Sequence, residues 1–165
     1  MNIRPVKLED AFEIKEIYNY YILNSVATFE EKPVSVEEMK NRIRSTIVKF
    51  PWLVYEVDEK IIGYAYAKDW KLRAAYRQSV ESSVYLKPDG LNKGVGSKLY
   101  NDLIKILVQQ NMHVVIGGIS LPNAASIALH EKFGFKKVAH FKEVGFKFKN
   151  WVDVGYWQLT INKKN

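Results

Sequence analysis

Apolar residues recur along the chain with two spacings, one typical of helices and one typical of strands. Steps of three or four residues at Leu8, Ala11, Ile14, Tyr18 and Tyr21 predict a first helix. The same spacing recurs in GVGSKLYNDLIKILVQQ, at Val95, Leu99, Leu103 and Ile106. Short apolar runs bounded by turn residues predict strands: NIRPVK, WLVYEVD, KIIGYAYAKDW, SVESSVYLK, HVVIGGI, KKVAHFKEVGFKF and NWVDVGYWQLTI.

Capping residues mark the ends of two further helices. Ser35 followed by Glu38 is a capping-box pattern and predicts a helix in SVEEMKNRIRSTIVK. In NAASIALHEKF, Asn123 is the predicted N-cap and Gly134 the predicted C-terminal stop. The turn residues Asp58-Glu59 predict a hairpin between two of the strands.

The predicted order of elements is β-α-α-β-β-β-α-β-α-β-β. Several strands follow one another with short connections, which argues against a purely parallel sheet. The order predicts an α/β fold with a mixed, mostly antiparallel central sheet of about seven strands and helices on both faces. Because the chain has no internal repeat or flexible linker, we expect one domain spanning residues 1–165.

Composition and charge narrow the function. The absence of cysteine excludes disulfides, zinc fingers and thiol nucleophiles. The net charge of +7 suits either nucleic acid or an anionic ligand. The basic residues are scattered, so we expect a polyphosphate ligand and no nucleic acid. The apolar runs are too short to cross a bilayer, and the N-terminus has no apolar signal region. We therefore expect a cytoplasmic protein without a membrane partner.

The segment VYLKPDGLNKGVGSKLY joins a predicted strand to a predicted helix through a glycine-rich turn. Free N–H groups and the dipole at a helix N-terminus attract phosphate. Gly94 and Gly96 let the backbone approach it, and Lys93 adds a positive charge. A simple helix start is the competing interpretation. The spacing fits neither a P-loop nor a dinucleotide fingerprint.

This turn resembles the acyl-CoA pyrophosphate loop of the GNAT superfamily of N-acetyltransferases, Q/R-x-x-G-x-G/A between a strand and a helix. The segments TFEEKPVSVEEMKNRI, RAAYRQSVESSVYLKPD and NAASIALHEKFGFKKVAHFKEVGFKFKNWVDVGYWQ resemble its phosphinothricin/methionine sulfoximine acetyltransferase branch. Leu91 departs from the superfamily pattern, where Gln or Arg stands. The resemblance implies a GNAT fold and acetyl-CoA as co-substrate, with no metal. It also implies a small amino-acid-like amine as acceptor, and a homodimer.

Acetyl transfer to an amine requires a base, a polarised thioester carbonyl and a stabilised thiolate. The resemblance implies that Glu81 is the general base, although a glutamate on a strand more often faces solvent. His130 stands where many superfamily members have a tyrosine that protonates the departing thiolate. Imidazole titrates near neutrality and suits that role. A packing or surface role for His130 is the alternative.

The resemblance also implies cofactor contacts at two places. The backbone of Val84, Tyr85 and Leu86 is expected to hold the thioester and the pantetheine arm, because this strand splays from HVVIGGI in the GNAT fold. Ordinary ladder pairing is the alternative for this strand. The other predicted cofactor-binding residues are Asn92, Lys93, Gly94, Val95, Gly96, Ser97, Asn123 and Ser126.

The cations in DWKLRAAYRQSVE suit an acceptor that carries a carboxylate as well as an amine, because guanidinium binds carboxylate through two hydrogen bonds. A solvated basic loop is the alternative. Trp151 and Trp157 are candidates for a dimer interface, with core packing as the alternative. Other possible functions are a GNAT enzyme for a polyamine, an aminoglycoside or a protein N-terminus, and a non-catalytic CoA-binding module. The predicted acceptor-binding residues are Lys71, Arg73, Tyr76 and Arg77, with Phe29 added by resemblance.

Overall fold

The computed structural model describes residues 1–90 and 94–162. The predicted order of helices and strands is confirmed in this part of the chain. The elements are β1 (Asn2–Pro5), α1 (Ala11–Asn24), α2 (Val36–Ile47), β2 (Trp52–Val57), β3 (Lys60–Asp69), β4 (Ser79–Leu86), α3 (Val95–Gln109), β5 (Val114–Leu121), α4 (Ala124–Lys132), β6 (Lys136–Lys147) and β7 (Asn150–Thr160).

The strands form one seven-stranded sheet in the order β1-β2-β3-β4-β5-β7-β6. Only β4 and β5 pair in parallel, and every other neighbouring pair is antiparallel. The predicted α/β class with a mixed, mostly antiparallel sheet is therefore confirmed. The single parallel pair lies at the centre of the sheet, with α3 connecting its two strands.

Local signals in the sequence determine the ends of several elements. Asp58 and Glu59 both have positive φ, 48° and 60°, and form the tight turn of the β2–β3 hairpin. The Ser35 hydroxyl accepts a hydrogen bond of 3.1 Å from the Glu38 N–H, which caps α2. Gly134 has a φ of 85° just beyond α4, as expected of a helix stop. These predicted boundaries are confirmed.

Each face of the sheet has its own apolar core. On one face α1 and α2 cover Val54 and Tyr64, and Ile14 is fully buried there. On the other face α3 buries Leu99 and Leu103 against the sheet, each contributing about 1.5–3 kcal/mol to folding. The second core determines where β4 and β5 lie, and these two strands carry the candidate site.

The two tryptophans considered for a dimer interface have different environments. Trp157 is 2% exposed and packs in the core beneath α3. Trp151 is 63% exposed on the β6–β7 hairpin. The prediction of an interface role is therefore wrong for Trp157, because its indole is already covered by its own chain.

Candidate active site

A cleft opens where β4 and β5 diverge. The two strands pair only over Ser79–Glu81 and Val114–Ile116, although β4 continues to Leu86 and β5 to Leu121. The predicted splay is therefore present, and the cleft between the strands has a volume of about 290 Å³. It is lined by Tyr21, Ala27, Ser82, Ser83, Val84, Tyr85, Leu86, Gly96, Gly118, Ile119, Ser120, Asn123, Ala125, Ser126, Leu129 and His130.

The backbone of β4 presents polar groups to this cleft at alternate residues. Hydrogen-bonded pairs alternate in an antiparallel ladder, and the Lys87 N–H donates to Ile62 O on β3 at 2.7 Å. Because the direction alternates from residue to residue, the backbone groups of Tyr85, two residues before Lys87, also point toward β3. Those of Val84 and Leu86 point toward the cleft. The Leu86 carbonyl accordingly accepts a 2.7 Å hydrogen bond from the Tyr21 hydroxyl. Of the three residues predicted to act through their backbone, Val84 and Leu86 are placed to do so and Tyr85 is not.

Glu81 stands at the last paired position before the strands diverge, opposite Ile116 on β5 and Lys68 on β3. Its neighbour Val80 packs in the α3 core, so Glu81 projects from the opposite face, which carries α1 and α2. The carboxylate lies 3.3 Å from the Lys68 ammonium and is 26% exposed. A Cβ at Gly118 would lie 3.4 Å from Glu81 Oε1. The base candidate is thus partly buried beside the cleft.

Lys68 is a neighbour that sequence patterns did not single out. Burial opposes its charged form, but the Glu81 carboxylate and nearby Tyr66 and Glu30 outweigh burial and raise the pKa of Lys68. Lys68 is therefore an ammonium at neutral pH. Only the register of β3 against β4 brings it to Glu81, and that register was not readable from the spacing of residues.

Aromatic rings border Glu81 on the β5–β7 side. The Trp70 and Tyr156 rings meet edge to face with centroids 5.4 Å apart, and Phe141 packs on Tyr156 at 5.7 Å. A Cβ at Gly118 would lie 3.2 Å from the Tyr156 ring. These side chains form an apolar wall beside Glu81, and none of them was predicted from the sequence.

His130 is 4% exposed and both its ring nitrogens have partners. Nδ1 lies 2.7 Å from the Ser126 carbonyl, which only accepts hydrogen bonds, so Nδ1 carries the proton. Nε2 lies 2.8 Å from the Tyr100 hydroxyl. Burial lowers the pKa of His130 despite the Ser126 carbonyl, which acts the other way. The ring is therefore neutral at pH 7, and Tyr100 donates to Nε2.

The hydrogen-bonded chain continues from Tyr100 to the cleft. The Tyr100 hydroxyl lies 2.5 Å from Ser82 Oγ, and burial raises the pKa of Tyr100, so this phenol stays protonated. Since Tyr100 uses its proton toward His130, Ser82 donates to Tyr100. Ser82 and His130 both line the cleft. The chain thus joins two points of the cleft wall through one buried tyrosine.

The turn before α3 contains a left-handed glycine. Gly94 is the N-cap of α3 with a φ of 73°, and a Cβ there would meet nothing within 4 Å. The first intrahelical bond is donated by Lys98 N–H to Gly94 O, so Val95, Gly96 and Ser97 have no intrahelical partner for their N–H groups. Ser97 Oγ accepts from the Lys132 ammonium at 3.1 Å. Leu91 and the predicted Asn92 and Lys93 lie outside the described residues.

The start of α4 also reaches the cleft. The Asn123 side chain accepts a 3.0 Å hydrogen bond from the Ser126 N–H, which confirms the N-cap, and both residues line the cleft. The other amide group of Asn123 stays available to a ligand.

The predicted acceptor-binding residues are not gathered at the cleft lining formed by the described residues. Residues 71–77 are all exposed, and the Arg77 guanidinium donates to the nearby Ala74 carbonyl at 3.3 Å. The Lys71 ammonium lies 4.9 Å from the Trp70 ring centroid. Phe29 is 41% exposed and packs on β6, while its neighbour Ala27 lines the cleft.

Residues 1–90 and 94–162 contain neither a metal-binding cluster nor a membrane-spanning helix. No group of three or more His, Asp or Glu side chains is arranged to hold a metal ion there. None of the helices described is both long and apolar enough to traverse a membrane.

Comparison with known proteins agrees with this geometry. Residues 3–155 match the family model described as the Acetyltransferase (GNAT) domain. The chain is 37% identical over 158 residues to the phosphinothricin N-acetyltransferase of Streptomyces viridochromogenes, covering 96% of this chain and 86% of that protein. It is also 35% identical over 167 residues to the L-methionine sulfoximine/L-methionine sulfone acetyltransferase of Salmonella typhimurium. That match covers 99% of this chain and 96% of that protein.

A solved structure shows the same fold with its cofactor. The yncA protein of Salmonella typhimurium, determined with acetyl-CoA, superposes with a TM-score of 0.97 at 34% sequence identity. The match covers 100% of this chain and 96% of that one.

Proposed function

The chain belongs to the GNAT acetyltransferase family, and we propose that it acetylates the α-amine of a small amino-acid-like acceptor. Acetyl-CoA-dependent N-acetylation is the activity of the family members that it resembles. Phosphinothricin, methionine sulfoximine and methionine sulfone are the acceptors proposed here, after the names of the relatives. The observation that carries the proposal is the position of Glu81 beside the cleft at which β4 and β5 diverge.

Acetyl-CoA is assigned to the cleft and to the turn before α3. The N–H groups of Val95, Gly96 and Ser97 stand in the first turn of α3 without an intrahelical acceptor and suit the pyrophosphate. Lys93 and Asn92 are proposed to add to this site. Toward the reacting end, Val84 and Leu86 offer backbone groups to the thioester and pantetheine, while Asn123 and Ser126 border the arm from α4.

The proposed reaction is a direct transfer in a ternary complex. Glu81 takes a proton from the acceptor ammonium, through water, and the freed amine attacks the thioester carbon. The Val84 N–H stabilises the oxyanion of the tetrahedral intermediate. The carbon–sulfur bond then breaks, the thiolate takes up one proton, and the nitrogen releases its second proton to give the amide. No covalent enzyme intermediate forms.

The role first assigned to His130, donating a proton to the thiolate, is retained only in an indirect form. The neutral ring donates its Nδ1 proton in a hydrogen bond to Ser126 O and accepts one at Nε2 from the Tyr100 hydroxyl. It therefore has no proton directed at the cleft. We propose that His130 orients Tyr100 and, through it, the Ser82 hydroxyl at the cleft wall. Proton uptake by the thiolate then passes through this chain or through water.

Thiol release from acetyl-CoA, followed with a thiol-reactive dye, tests the function against a panel of acceptors. The panel holds phosphinothricin, methionine sulfoximine, methionine sulfone, ordinary amino acids, spermidine and an aminoglycoside. We expect saturable turnover with the first three. Turnover confined to spermidine or the aminoglycoside would overturn the acceptor class but keep the reaction. Calorimetric binding of acetyl-CoA without turnover of any acceptor would favour a non-catalytic CoA-binding module.

A homodimer is proposed from the apolar surface of the β6–β7 hairpin. Large exposed apolar patches of this kind mark interfaces, and Phe146 and Trp151 contact each other with centroids 4.9 Å apart. Light scattering should give twice the chain mass of 19.2 kDa, and Trp151→Glu should shift it to the monomer. A monomeric native protein would contradict the proposal. The exposed residues are Val138, Phe141, Val144, Phe146, Phe148 and Trp151.

A further inference from the structure

A lysine is buried at the C-terminal end of β6. Lys147 is 2% exposed, and its ammonium donates hydrogen bonds of 2.8 Å to Ser25 O and 2.7 Å to Thr28 O. The partners lie 122 and 119 residues earlier in the chain. They belong to residues 25–30 between α1 and α2, named here the α1–α2 loop. Lys147 thus joins the edge strand of the sheet to this loop.

Burying an ammonium is costly unless it is hydrogen-bonded, so its retention at this place calls for an explanation. The groups to which it donates are backbone carbonyls, and burial lowers the pKa of Lys147 although Glu31 and Glu30 act the other way. A surface ion pair would stabilise the fold without burying the charge. The two hydrogen bonds from one ammonium instead fix the path of the loop backbone between Ser25 and Thr28.

That path matters because the α1–α2 loop reaches the cleft. Ala27, between the two bonded carbonyls, lines the cleft. Next to it, the Thr28 hydroxyl lies 2.9 Å from the Tyr18 hydroxyl, and Tyr18 packs on Tyr85 of β4 with ring centroids 5.2 Å apart. The loop lies on the α1/α2 face of the sheet, the same face from which Glu81 projects. It therefore borders the side from which the acceptor approaches.

A second contact with β6 supports the same conclusion. A Cβ on Gly145 would overlap the ring of Phe29, so the loop also packs tightly on β6 two residues before Lys147. At the end of the loop, Glu30 accepts hydrogen bonds from the Tyr18 hydroxyl and from Arg42, each at 2.7 Å. The loop is held at both ends, and Lys147 holds the part that touches the cleft.

We propose that Lys147 is a positioning residue for the acceptor: its ammonium fixes the α1–α2 loop, and the loop sets how tightly the acceptor binds beside Glu81. The inference rests on the proposed acetyltransferase function. It predicts that losing the ammonium weakens acceptor binding more than acetyl-CoA binding, because the acetyl-CoA contacts proposed above come from β4, α3 and α4, whereas among the described residues the loop contributes Ala27 alone to the cleft lining.

The test compares Lys147→Met with wild type in steady-state kinetics on methionine sulfone, varying each substrate in turn. We expect KM for the acceptor to rise tenfold or more, with KM for acetyl-CoA within twofold of wild type. Lys147→Arg keeps the charge and the donors and should recover part of the loss. Lys136→Met removes an exposed lysine of the same strand and should change neither KM.

Equal changes in both KM values, or no change in either, would overturn the inference. If Lys147→Met does not fold, the same two KM values are measured in Gly145→Ala, because a Cβ at Gly145 would push Phe29 and the loop away from β6. Amide hydrogen exchange of residues 25–30 gives a readout independent of turnover, and it should accelerate in Lys147→Met. Absence of turnover in wild type would refute the proposed function, whereas unchanged exchange in the variant would refute the positioning role.

Discussion

Gly117 of β5 lies directly against the imidazole of His130, so closely that a Cβ on Gly117 would overlap Nε2. The glycine makes room for the ring to lie flat against the strand, where Nε2 reaches the Tyr100 hydroxyl at 2.8 Å. The small residue and the histidine are therefore one structural unit. The first glycine of GG in HVVIGGI is therefore explained by a neighbour on α4 and not by backbone strain.

Gly117→Ala should consequently destabilise the protein by about 1–3 kcal/mol, the usual cost of overpacking a filled site. Urea unfolding of wild type, Gly117→Ala, His130→Ala and the double variant would measure it. Because His130→Ala removes the overlapping ring, the double variant should be no less stable than His130→Ala alone. Strictly additive losses would contradict the direct contact.

The pH dependence of stability should reveal the buried imidazole. Its pKa is lowered in the folded protein, so below about 6.5 the unfolded chain binds a proton that the folded chain does not. The stabilisation is complete above this pH and is lost as the pH falls toward the lowered pKa. The slope from this group is at most about 1.4 kcal/mol per pH unit.

Chemical denaturation of wild type and His130→Gln between pH 7.5 and 5 checks this expectation. The variant should lose less stability over that range than wild type. His113→Gln is the control, since His113 is exposed and bonded to the Asn162 carbonyl, and it should keep the wild-type slope. Parallel slopes for wild type and His130→Gln would show that the ring titrates normally in the fold.

Glu81→Gln tests the base. We expect kcat to fall by about 10²–10⁴-fold, the usual contribution of general base catalysis, because the amide cannot accept the ammonium proton. The affinity for acetyl-CoA should stay within twofold, measured by calorimetry. Glu9→Gln replaces an exposed carboxylate and should have wild-type kinetics. A fully active Glu81→Gln from pH 6 to 9 would remove the assignment.

Gly94 tests the cofactor turn. Its φ of 73° costs a side-chain-bearing residue about 1–2 kcal/mol, and most for a β-branched one. Gly94→Val should weaken acetyl-CoA binding at least tenfold, and Gly94→Asn should weaken it less, since asparagine tolerates this region. Gly134→Val is the matched control, because Gly134 also has a positive φ, 85°, but lies away from the cleft. It should lower stability and leave acetyl-CoA affinity unchanged.

Local patterns predicted the helices and strands, but they do not reveal contacts between residues that lie far apart in the chain. The capping residues Ser35, Asn123 and Gly134 act within four residues of their partners, so spacing alone located them. The insertion of β7 between β5 and β6 has no local cause. It depends on which strand pairs its backbone with the free edge of β5, and the partners Val114 and Thr160 lie far apart in the chain.

The site residues missed by the sequence have the same explanation. A lysine on a strand is ordinarily expected to face solvent. The burial of Lys147 depends on two carbonyls that lie more than a hundred residues earlier in the chain. Lys68 reaches Glu81 only through the register of β3 against β4. His130 is a predicted site residue that lines the cleft, but its neutral state depends on burial and on the contact with Tyr100, and no motif displays either of these.

Two cations, Arg73 and Lys68, are candidates for binding the carboxylate of the acceptor. Arg73 was chosen from the sequence, yet it lies on an exposed turn, whereas the Lys68 ammonium lies 3.3 Å from Glu81. If residues 71–77 bind the carboxylate, Arg73→Met should raise KM at least tenfold for methionine sulfone. It should not do so for the analogue that lacks the carboxylate, 3-(methylsulfonyl)propylamine. Arg44→Met, on the exposed surface of α2, should change neither value.

The same pair of acceptors distinguishes the alternative at Lys68. An α-amino acid presents a carboxylate next to its ammonium, and the Lys68–Glu81 ion pair offers the complementary charges side by side. A carboxylate-selective loss in Lys68→Met with wild-type behaviour in Arg73→Met would move the acidic-group site from the 71–77 turn to the sheet. The reverse result would confirm the turn, because removing a cation affects only those ligands whose anionic group it contacts.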